Sequence, residues 1–408
     1  MKKQYKILIV SFFIILLAVG IYVVWKQIKN TSVDVVTKTE ADVVNGTLPE
    51  TSEKNVSSST ETTTNTDDKK TEVTNTTDQK RSITLKKLSD VPVFDFWINQ
   101  KTGDVFYLSF LGKVYLGKDG EDESVSDQQI QALSSVLETT TGEKALVSFG
   151  SPQNSQWGVF DSVDKAWRPL PSNILLATWG KDENQLVVIK RNTSTNSLGF
   201  LDITKTPPEF KNIISNFSLQ DVRLSFVSPS NLFINELPSP QYNSRAWLLD
   251  TKSFSLNTLN SGERDLFFRW SQDKSFVFGF GAYSGFQVFN NTPLSNPSPL
   301  PFSTIPQKCT GDFNMIYCFV PQEDGVVLFE NYIMNKKYSD DVLYIDDASG
   351  YLNKVFVSDL NNGSPIDAKT PRISSAGLYF INKFDGFLYR VSGLINAPTN
   401  TDPTDYHD

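Results

Sequence analysis

The chain has 408 residues, a formal net charge of −8 and 39% hydrophobic residues. It contains no cluster of Lys and Arg interleaved with aromatic residues, which argues against a nucleic-acid-binding protein. Its single histidine, His407, lies beside the C-terminus. Serine and cysteine triads and most zinc sites need a positioned imidazole or several cysteines, so we predict no catalytic, cofactor-binding or metal-ligating residue.

Residues 1–30 are predicted to form an N-terminal membrane anchor. Ile7–Trp25 is uncharged and apolar and would span roughly 28 Å as a helix, enough to cross a bilayer core. Three lysines precede it and two follow it, so the positive-inside rule favours a cytoplasmic N-terminus and a single-pass protein with its C-terminal domain outside the cell membrane. A cleaved signal peptide ending near Ala18–Gly20 is the alternative, but the apolar run continues to Trp25.

Residues 31–81 are predicted to be a disordered, Ser/Thr-rich stalk. The segment has few apolar residues, so it cannot bury enough surface to offset chain entropy. A flexible coil of about fifty residues spans on the order of 40 Å, which would hold the following domain clear of a membrane. Residues 398–408 are predicted to be a flexible acidic tail.

Residues 82–397 are predicted to be a β-propeller, an all-β fold. A unit of short apolar runs separated by polar turns recurs about seven times, and copies start about 40–50 residues apart. It is plainest in Leu175–Asp202, Leu224–Asp250 and Phe267–Phe289. Seven blades are predicted, and six or eight would follow if the irregular copy around Cys309–Val357 were divided differently.

One copy predicts the four strands of a blade in detail, at Ile174–Trp179, Gln185–Lys190, Ser197–Ile203 and Phe210–Ile214. The last copy ends at Gly386–Val391 without an outer strand, whereas Ser82–Leu88 reads as a strand without a blade. We therefore expect Ser82–Leu88 to complete the last blade and close the ring.

The turns after the inner strands carry a family resemblance. Trp270–Lys274, Trp179–Asp182 and Phe226–Ser230 resemble degenerate WD40-like repeats of the TolB-type (PD40) and peptidase-associated propellers. The resemblance implies a propeller fold, and because no catalytic domain is appended, it implies no peptidase activity. Anchor, stalk and propeller together are similar to those of uncharacterised, membrane-anchored bacterial surface proteins.

The two cysteines, Cys309 and Cys318, are predicted to form a disulfide. A tight turn at Phe313-Asn314 would place them opposite each other on neighbouring strands, close enough for a bond. An exported domain would meet oxidising conditions. Two buried free cysteines are the alternative.

Asp182, Asp273 and Asp312 recur at the turn between the first two strands of a repeat. A short carboxylate at this place accepts hydrogen bonds from nearby backbone amides, so we interpret them as turn residues. A glycosidase needs two acids converging about 5–10 Å apart, and repeated turn positions around a ring do not converge in that way.

The loops between second and third strands are the predicted ligand-binding face, because the family implies this and because long loops on rigid scaffolds often carry function. The longest loop is Pro321–Asp341, and a shorter one is Pro238–Ser244. The predicted partner-binding residues are Glu330, Tyr332, Tyr338, Asp340, Asp341 and Tyr242. Alternatively, aromatic residues of the long loop pack on their own sheet.

These features predict a membrane-tethered, extracytoplasmic propeller that acts as a non-enzymatic binding or scaffold module for a protein or polysaccharide partner at the cell surface. A carboxylate-dependent hydrolase or lyase acting on a glycan, with acids on the loop face, is the alternative. A structural envelope component with a protein partner in the same membrane is the third hypothesis.

Overall fold

The computed structural model describes residues 83–394, except 119, 152–153, 220, 229, 260–261, 291–295, 299, 313–314, 322–336 and 348–351. The predicted anchor, stalk and acidic tail lie outside the described residues, as do Glu330 and Tyr332. Among the described residues, no helix has the length and apolar character needed to cross a membrane.

The described strands form seven antiparallel sheets in a ring. Blade 1 contains β2 (Val93–Ile98), β3 (Val105–Ser109), β4 (Val114–Gly117) and β5 (Glu123–Ser124). Blade 2 contains β6 (Leu133–Glu138), β7 (Lys144–Ser151), β8 (Asn154–Asp161) and β9 (Ala166–Pro169). Blade 3 contains β10 (Ile174–Trp179), β11 (Gln185–Arg191), β12 (Asn196–Asp202) and β13 (Glu209–Ile214). Blade 4 contains β14 (Val222–Ser228), β15 (Asn231–Glu236), β16 (Ala246–Asp250) and β17 (Leu256–Thr258).

The remaining blades are less regular. Blade 5 contains β18 (Phe267–Trp270), β19 (Phe276–Gly281) and β20 (Gly285–Asn290), and a single bridge joins Val288 to Ser298 at its outer edge. After a 3-10 turn (Pro306–Lys308), blade 6 contains β21 (Cys309–Asp312), β22 (Met315–Pro321), β23 (Asp341–Asp347) and β24 (Leu352–Val355), and the short helix α1 (Val357–Leu360) follows. Blade 7 contains β25 (Ala368–Ser374), β26 (Gly377–Asn382), β27 (Leu388–Ser392) and, as its outer strand, β1 (Thr84–Lys87).

The predicted ring closure is confirmed. Strand β1 pairs antiparallel with β27, in a register from Thr84 opposite Ser392 to Lys87 opposite Tyr389. The seven-blade prediction is therefore confirmed, and the six- and eight-blade alternatives are wrong. The four strands predicted for blade 3 agree with β10–β13 to within one residue at each end.

The predicted pairing of the two cysteines is also confirmed. Cys309 lies opposite Cys318 in the β21–β22 register, and a disulfide joins them. Both residues are fully buried and belong to the apolar cluster between blades 5 and 6.

Apolar clusters lie between neighbouring blades all around the ring. Between blades 1 and 2, for example, Trp97 stacks on Phe106 at 5.8 Å and contacts Phe160 edge-on at 5.7 Å. Each fully buried side chain of this size contributes about 1.5–3 kcal/mol of hydrophobic stabilisation. The second strands are the most completely buried, since every residue of β3 and of β26 is buried, whereas the inner strands are partly open to the channel and carry charged residues.

The tryptophans of the repeats also tie adjacent blades together. The indole N–H of Trp179 donates to the carbonyl of Leu137 in blade 2 at 2.7 Å, and that of Trp97 donates to the Ser162 hydroxyl at 2.9 Å. Trp97 and Trp179, near the ends of their inner strands, therefore fill the space between blades and satisfy their polar atoms on the neighbouring blade.

Antiparallel order gives the ring two different faces. We call the side with the loops between second and third strands and with the connections between blades the loop face. We call the opposite side, with the turns between first and second strands, the turn face.

Candidate functional site

Two of the three turn aspartates, Asp182 and Asp273, have the local role predicted for them. The carboxylate of Asp182 accepts the backbone N–H of Asn184 at 3.0 Å. That of Asp273 accepts the N–H of Ser275 at 3.0 Å and the hydroxyl of Ser271 at 2.6 Å. Burial, followed by the charge of Asp273, raises the pKa of Asp312.

Tyr338 lies on the loop face between the last two blades. Its ring is half exposed and stacks on Phe384 of blade 7 at 5.0 Å, with 22° between the ring planes. The ammonium of Lys383 lies 5.3 Å from the centroid of the Tyr338 ring and 3.2 Å from the Asp367 carboxylate. The C-terminal end of the long loop is therefore held against blade 7, with aromatic surface left open to solvent.

The buried charges below Tyr338 correct one part of the prediction. Asp341 is fully buried and forms an ion pair with Lys308, which is also fully buried and contacts Asp367 at 2.7 Å. Ser339 donates to Asp341 at 2.8 Å and accepts from Lys308 at 2.9 Å. Burial raises the pKa of Asp341, against the opposing effect of the Lys308 charge. Asp341 therefore joins the long loop of blade 6 to the two blade connections on either side of it, and it has no surface for direct contact with a partner.

Asp340 lies at the edge of the same cluster. Its carboxylate accepts the backbone N–H of Ile366 at 3.3 Å, in the connection between blades 6 and 7, and the residue is partly exposed. Asp340 thus combines a contact within the fold with access to solvent.

Exposed aromatic side chains are concentrated on the loop face. Within the described residues, seven aromatic side chains are strongly exposed, and five of them lie in loops between second and third strands. These five are Phe110, Tyr242, Tyr283, Tyr338 and Phe384. Since exposed aromatic rings are costly to leave in water and are enriched at binding surfaces, their distribution marks the loop face as the candidate functional site.

Tyr242 and Tyr283 are the most exposed of these aromatic residues, at 72% and 76%. The backbone before Tyr242 is fixed by Ser239, whose hydroxyl accepts the N–H of Tyr242 at 3.2 Å. The loop that carries Tyr283 is fixed by Glu263, whose carboxylate accepts the N–H of Ser284 at 2.6 Å and its hydroxyl at 2.9 Å. Both aromatic rings are thus presented on ordered loops.

A second aromatic and cationic area covers the junction of blades 7 and 1. Phe110, in the loop between β3 and β4, packs edge-on against Phe94 at 5.8 Å. The ammonium of Lys369 lies 6.0 Å from the Phe110 ring and donates to the Phe94 carbonyl at 3.3 Å. Burial lowers the pKa of Lys369.

The central channel is crossed by ion pairs. Arg372 on β25 donates to Glu138 at 2.7 and 2.8 Å and to Asp95 at 2.9 Å. Burial opposes the charged state of Arg372, but the two carboxylates raise its pKa. Arg269 extends from β18 to the carbonyl oxygens of Gln307 at 2.9 Å and Pro371 at 3.4 Å. The two arginines therefore join inner strands of blades that are not adjacent, blade 7 to blade 2 and blade 5 to blade 7.

The turn face carries a pair of interacting carboxyl groups. Glu143 of blade 2 forms an ion pair with Lys101 of blade 1 at 2.7 Å. It also forms a hydrogen bond with Glu183 of blade 3. Glu183 also accepts the hydroxyl of Thr141. The hydrogen bond from Lys101 is the main reason why the pKa of Glu143 is lowered, whereas burial and then Glu143 raise the pKa of Glu183.

The structure gives little support for a metal centre or a deep ligand pocket in the described residues. No three His, Cys, Asp or Glu side chains there are grouped to hold a metal ion. A cleft of about 180 Å³ lies between blades 2 and 3, lined by Asp161, Trp167 and Arg168 among others. Sites for small molecules usually measure about 300–1,000 Å³, so a loop-face surface is the better candidate than this cleft.

The comparisons with known proteins find similar structures at low sequence identity. No protein-family model and no curated protein matches the chain. The chain is similar to the β-propeller domain of Myceliophteria thermophila Cps50 (Swd1), with a TM-score of 0.47 and 11% identity over 76% of this chain and 99% of that one. It is also similar to the tricorn protease, with a TM-score of 0.45 and 10% identity over 74% of this chain. It spans a third (33%) of the tricorn protease chain.

A third similar structure is the β-propeller domain of the trilobed protease from Pyrococcus furiosus, with a TM-score of 0.38 and 13% identity over 61% of this chain and 76% of that one. At these identities and TM-scores, no activity of those proteins is transferred to this chain. The chain is a seven-bladed β-propeller.

Two groups of residues at the site were not predicted from the sequence. The cluster of Lys308, Asp341 and Asp367 joins residues up to 59 positions apart, and only the stacking of blades brings them together. The exposed Tyr283 and Phe110 carried a usable signal, because each follows a short apolar strand in a brief polar loop that cannot bury a ring.

Proposed function

We propose that the chain is a non-enzymatic binding or scaffold module that binds a protein or glycan partner on its loop face. The observation that carries this proposal is the concentration of exposed aromatic rings in the loops between second and third strands. The rings are spread over blades 1, 4, 5, 6 and 7, so they surround the channel mouth on much of the ring.

The exposed aromatic rings are suited to contact with a protein or a glycan. Tyrosine and phenylalanine rings bind sugar faces and peptide side chains by apolar contact, and tyrosine adds a hydroxyl for hydrogen bonding. Cations lie close to two of the rings, with Arg264 5.5 Å from Tyr283 and Lys383 5.3 Å from Tyr338. A rigid ring that presents such residues on fixed loops loses little conformational entropy on binding.

The buried acids support binding over glycan chemistry. A glycosidase needs two carboxyl groups with room for a sugar between them and one of them free to donate a proton. Here Asp341 and Asp367 share the ammonium of Lys308, and Asp95 and Glu138 share the guanidinium of Arg372. A cation occupies the place that a substrate would need in each pair.

We further propose that residues 1–30 anchor the propeller in the cell membrane and that residues 31–81 hold it outside. The apolar run Ile7–Trp25 and the polar composition that follows support this arrangement.

Photo-crosslinking in intact cells tests the binding face. A photoreactive residue replaces Tyr242 on the loop face in one variant and Phe254 in a second, matched variant; Phe254 is comparably exposed but lies in the turn between the third and fourth strands of blade 4. We expect a crosslinked adduct to a protein or glycan from position 242 and none from position 254. Equal labelling from both positions, or none from either, would contradict the proposal.

A thiol-labelling experiment tests the topology. Ser58→Cys places one new thiol in the stalk, and the chain's two native cysteines are joined in a disulfide. We expect an impermeant maleimide to label this variant in intact cells. Labelling that requires cell lysis would overturn the outward placement.

A further inference from the structure

The cleft between the outer parts of blades 2 and 3 is lined by charged side chains of both signs. The pairing of β7, β8 and β9 explains how they come together. Lys144 lies opposite Asp161, and Asp161 lies opposite Ala166, so these three side chains share one face of blade 2. Val159 and Arg168 lie opposite each other two positions along the same strands and therefore share that face. The five residues form one wall of the cleft.

The two faces of blade 2 are filled differently. On the side of blade 1, Phe160 and Trp167 pack into the apolar cluster between the blades. On the side of blade 3, the outer strand carries Ala166, and a cleft of about 180 Å³ stays open there. Since a cavity of about 150 Å³ can hold benzene, this cleft suits a ligand of about six to eight non-hydrogen atoms.

Lys144 and Asp161 are the more enclosed charges of the cleft, with side chains only 17% and 21% exposed. Their nitrogen and oxygen atoms are 3.9 Å apart, too far for a hydrogen bond. Each group is positioned by other contacts: Lys144 donates to Asn184 at 2.8 Å, and Oδ1 of Asp161 accepts the N–H of Val163 at 3.0 Å. In the described part of the chain, no hydrogen bond reaches Oδ2 of Asp161. The fold thus holds this ion pair slightly open.

Two further charges, Arg168 and Asp164, stand at the exposed end of the cleft. Nη1 of Arg168 donates to the carbonyl of Ile203 in blade 3 at 2.6 Å, which fixes the guanidinium across the cleft. No cation among the described residues forms an ion pair with the carboxylate of Asp164. The lining therefore carries two cations and two carboxylates, and its net charge is zero.

The other charged groups nearby do not change this balance. Lys165 extends to Glu123 of blade 1 at 3.3 Å, on the far side of blade 2. Asp202 and Lys205 offset each other in the turn after β12. The carboxylate of Glu183 belongs to the carboxyl pair of the turn face.

A small, electrically balanced cleft favours a ligand that carries both charges. We propose that it binds a compact zwitterion, a free α-amino acid with a small side chain. Lys144 and Arg168 receive the ligand carboxylate, for which the planar fork of arginine is suited. Asp161 and Asp164 receive its ammonium group, and the side chain lies on Val159. The site is independent of the partner surface proposed above, since it lies between two blades at the outer side of the ring.

Thermal unfolding of the purified chain tests this site with defined probes. L-Alanine, L-serine and L-valine are titrated at constant ionic strength. Sodium propionate and ethylammonium chloride are the controls, because each supplies only one of the two charges. We expect the melting temperature of the wild type to rise saturably with at least one of the amino acids and with neither control. An equal rise with either control would overturn the assignment to a zwitterion.

Three variants decide whether the cleft carries the effect. Ala166→Leu fills the cleft from an exposed position of the outer strand and should abolish the rise. Arg168→Gln removes one cation of the site and should raise the half-saturating concentration about tenfold or more. Lys165→Gln removes a cation from the neighbouring turn and should respond like the wild type.

Three results would overturn the proposal. The first is a wild type that shows no saturable rise with any of the three amino acids. The second is an Ala166→Leu variant that keeps the rise. The third is an Arg168→Gln variant whose half-saturating concentration equals that of Lys165→Gln.

Discussion

Arg372 and Glu138 form a bidentate ion pair across the ring closure, with distances of 2.7 and 2.8 Å, although 234 positions separate them in the sequence. Asp95, from the blade between them, accepts a third hydrogen bond from the same guanidinium at 2.9 Å. One cation thus joins the inner strands of blades 7, 1 and 2. The contact exists only when the first and last parts of the propeller meet, so it reports on closure of the ring.

Arg372→Met should lower the free energy of unfolding by about 3–5 kcal/mol, because it leaves two enclosed carboxylates without a cation. A triple variant that adds Asp95→Asn and Glu138→Gln should recover most of this loss, since it removes the stranded charges. Urea denaturation followed by tryptophan fluorescence measures both. Equal losses in the single and triple variants would show that the charges are not the cause.

The same ion pair should make stability depend on pH. Burial alone would raise the pKa of Glu138, but the charge of Arg372 lowers it below the ordinary carboxyl value. The stabilisation is therefore present above the ordinary carboxyl pKa and is lost as the pH falls through the lowered folded value. We expect Glu138→Gln to destabilise the protein at neutral pH and to have little effect in strong acid.

Periodic features of this propeller were predictable from sequence, and contacts between distant blades were not. The strands of blade 3 and the register of Cys309 with Cys318 depend on alternation and turn spacing within about forty residues. Asp341 was expected at a binding surface because it ends a long polar loop. It is buried because it is also the first residue of β23, beside the connection that carries Lys308. No local sequence pattern distinguishes an aspartate on an exposed loop from one that is buried at the start of a strand.

Lys308→Met should lower the free energy of unfolding by about 3–5 kcal/mol at neutral pH, because Asp341 and Asp367 then face each other without their shared cation. Removing Lys308 should raise the pKa of Asp341 further, so the loss should shrink as the pH falls and the carboxyls become protonated. Denaturation at several pH values measures this. Lys211→Met, which removes an exposed lysine from the outer strand of blade 3, is the control and should change stability little.

Glu183→Gln should become progressively more favourable to stability as the pH rises. Burial and Glu143 raise the pKa of Glu183, so its ionisation costs stability once the pH exceeds the ordinary carboxyl value. Glu143→Gln should have the opposite effect at neutral pH, because the hydrogen bond from Lys101 lowers the pKa of Glu143 and stabilises its charged form. The melting temperatures of both variants, measured relative to the wild type between pH 4 and 8, test this prediction. If the two variants changed the melting temperature in the same direction, the opposite pKa shifts of Glu183 and Glu143 would be contradicted.

Reduction of the Cys309–Cys318 disulfide should destabilise the protein by about 3 kcal/mol, the chain-entropy value for a loop of this short length. We expect the melting temperature of the wild type to fall in the presence of a reductant. A Cys309→Ala, Cys318→Ala variant should melt lower and should not respond to the reductant. A reductant effect in the double variant would place its cause elsewhere.

Truncation at the ring closure should distinguish the outer strand β1 from the segment before it. A chain that begins at Leu88 lacks Thr84–Lys87, loses its pairing with β27 and uncovers the Leu85 contact with the cluster between blades 6 and 7. The loss of these contacts should lower the free energy of unfolding by about 2–3 kcal/mol.

The truncated chain should also self-associate, because the unpaired edge of β27 presents free backbone groups to other copies. A chain that begins at Arg81 keeps β1 and should match the full-length protein in melting temperature and in association state. Calorimetry and light scattering on the two truncated chains measure stability and association. If both chains behaved alike, the strand at the N-terminal side of the ring would have no part in holding blade 7 closed.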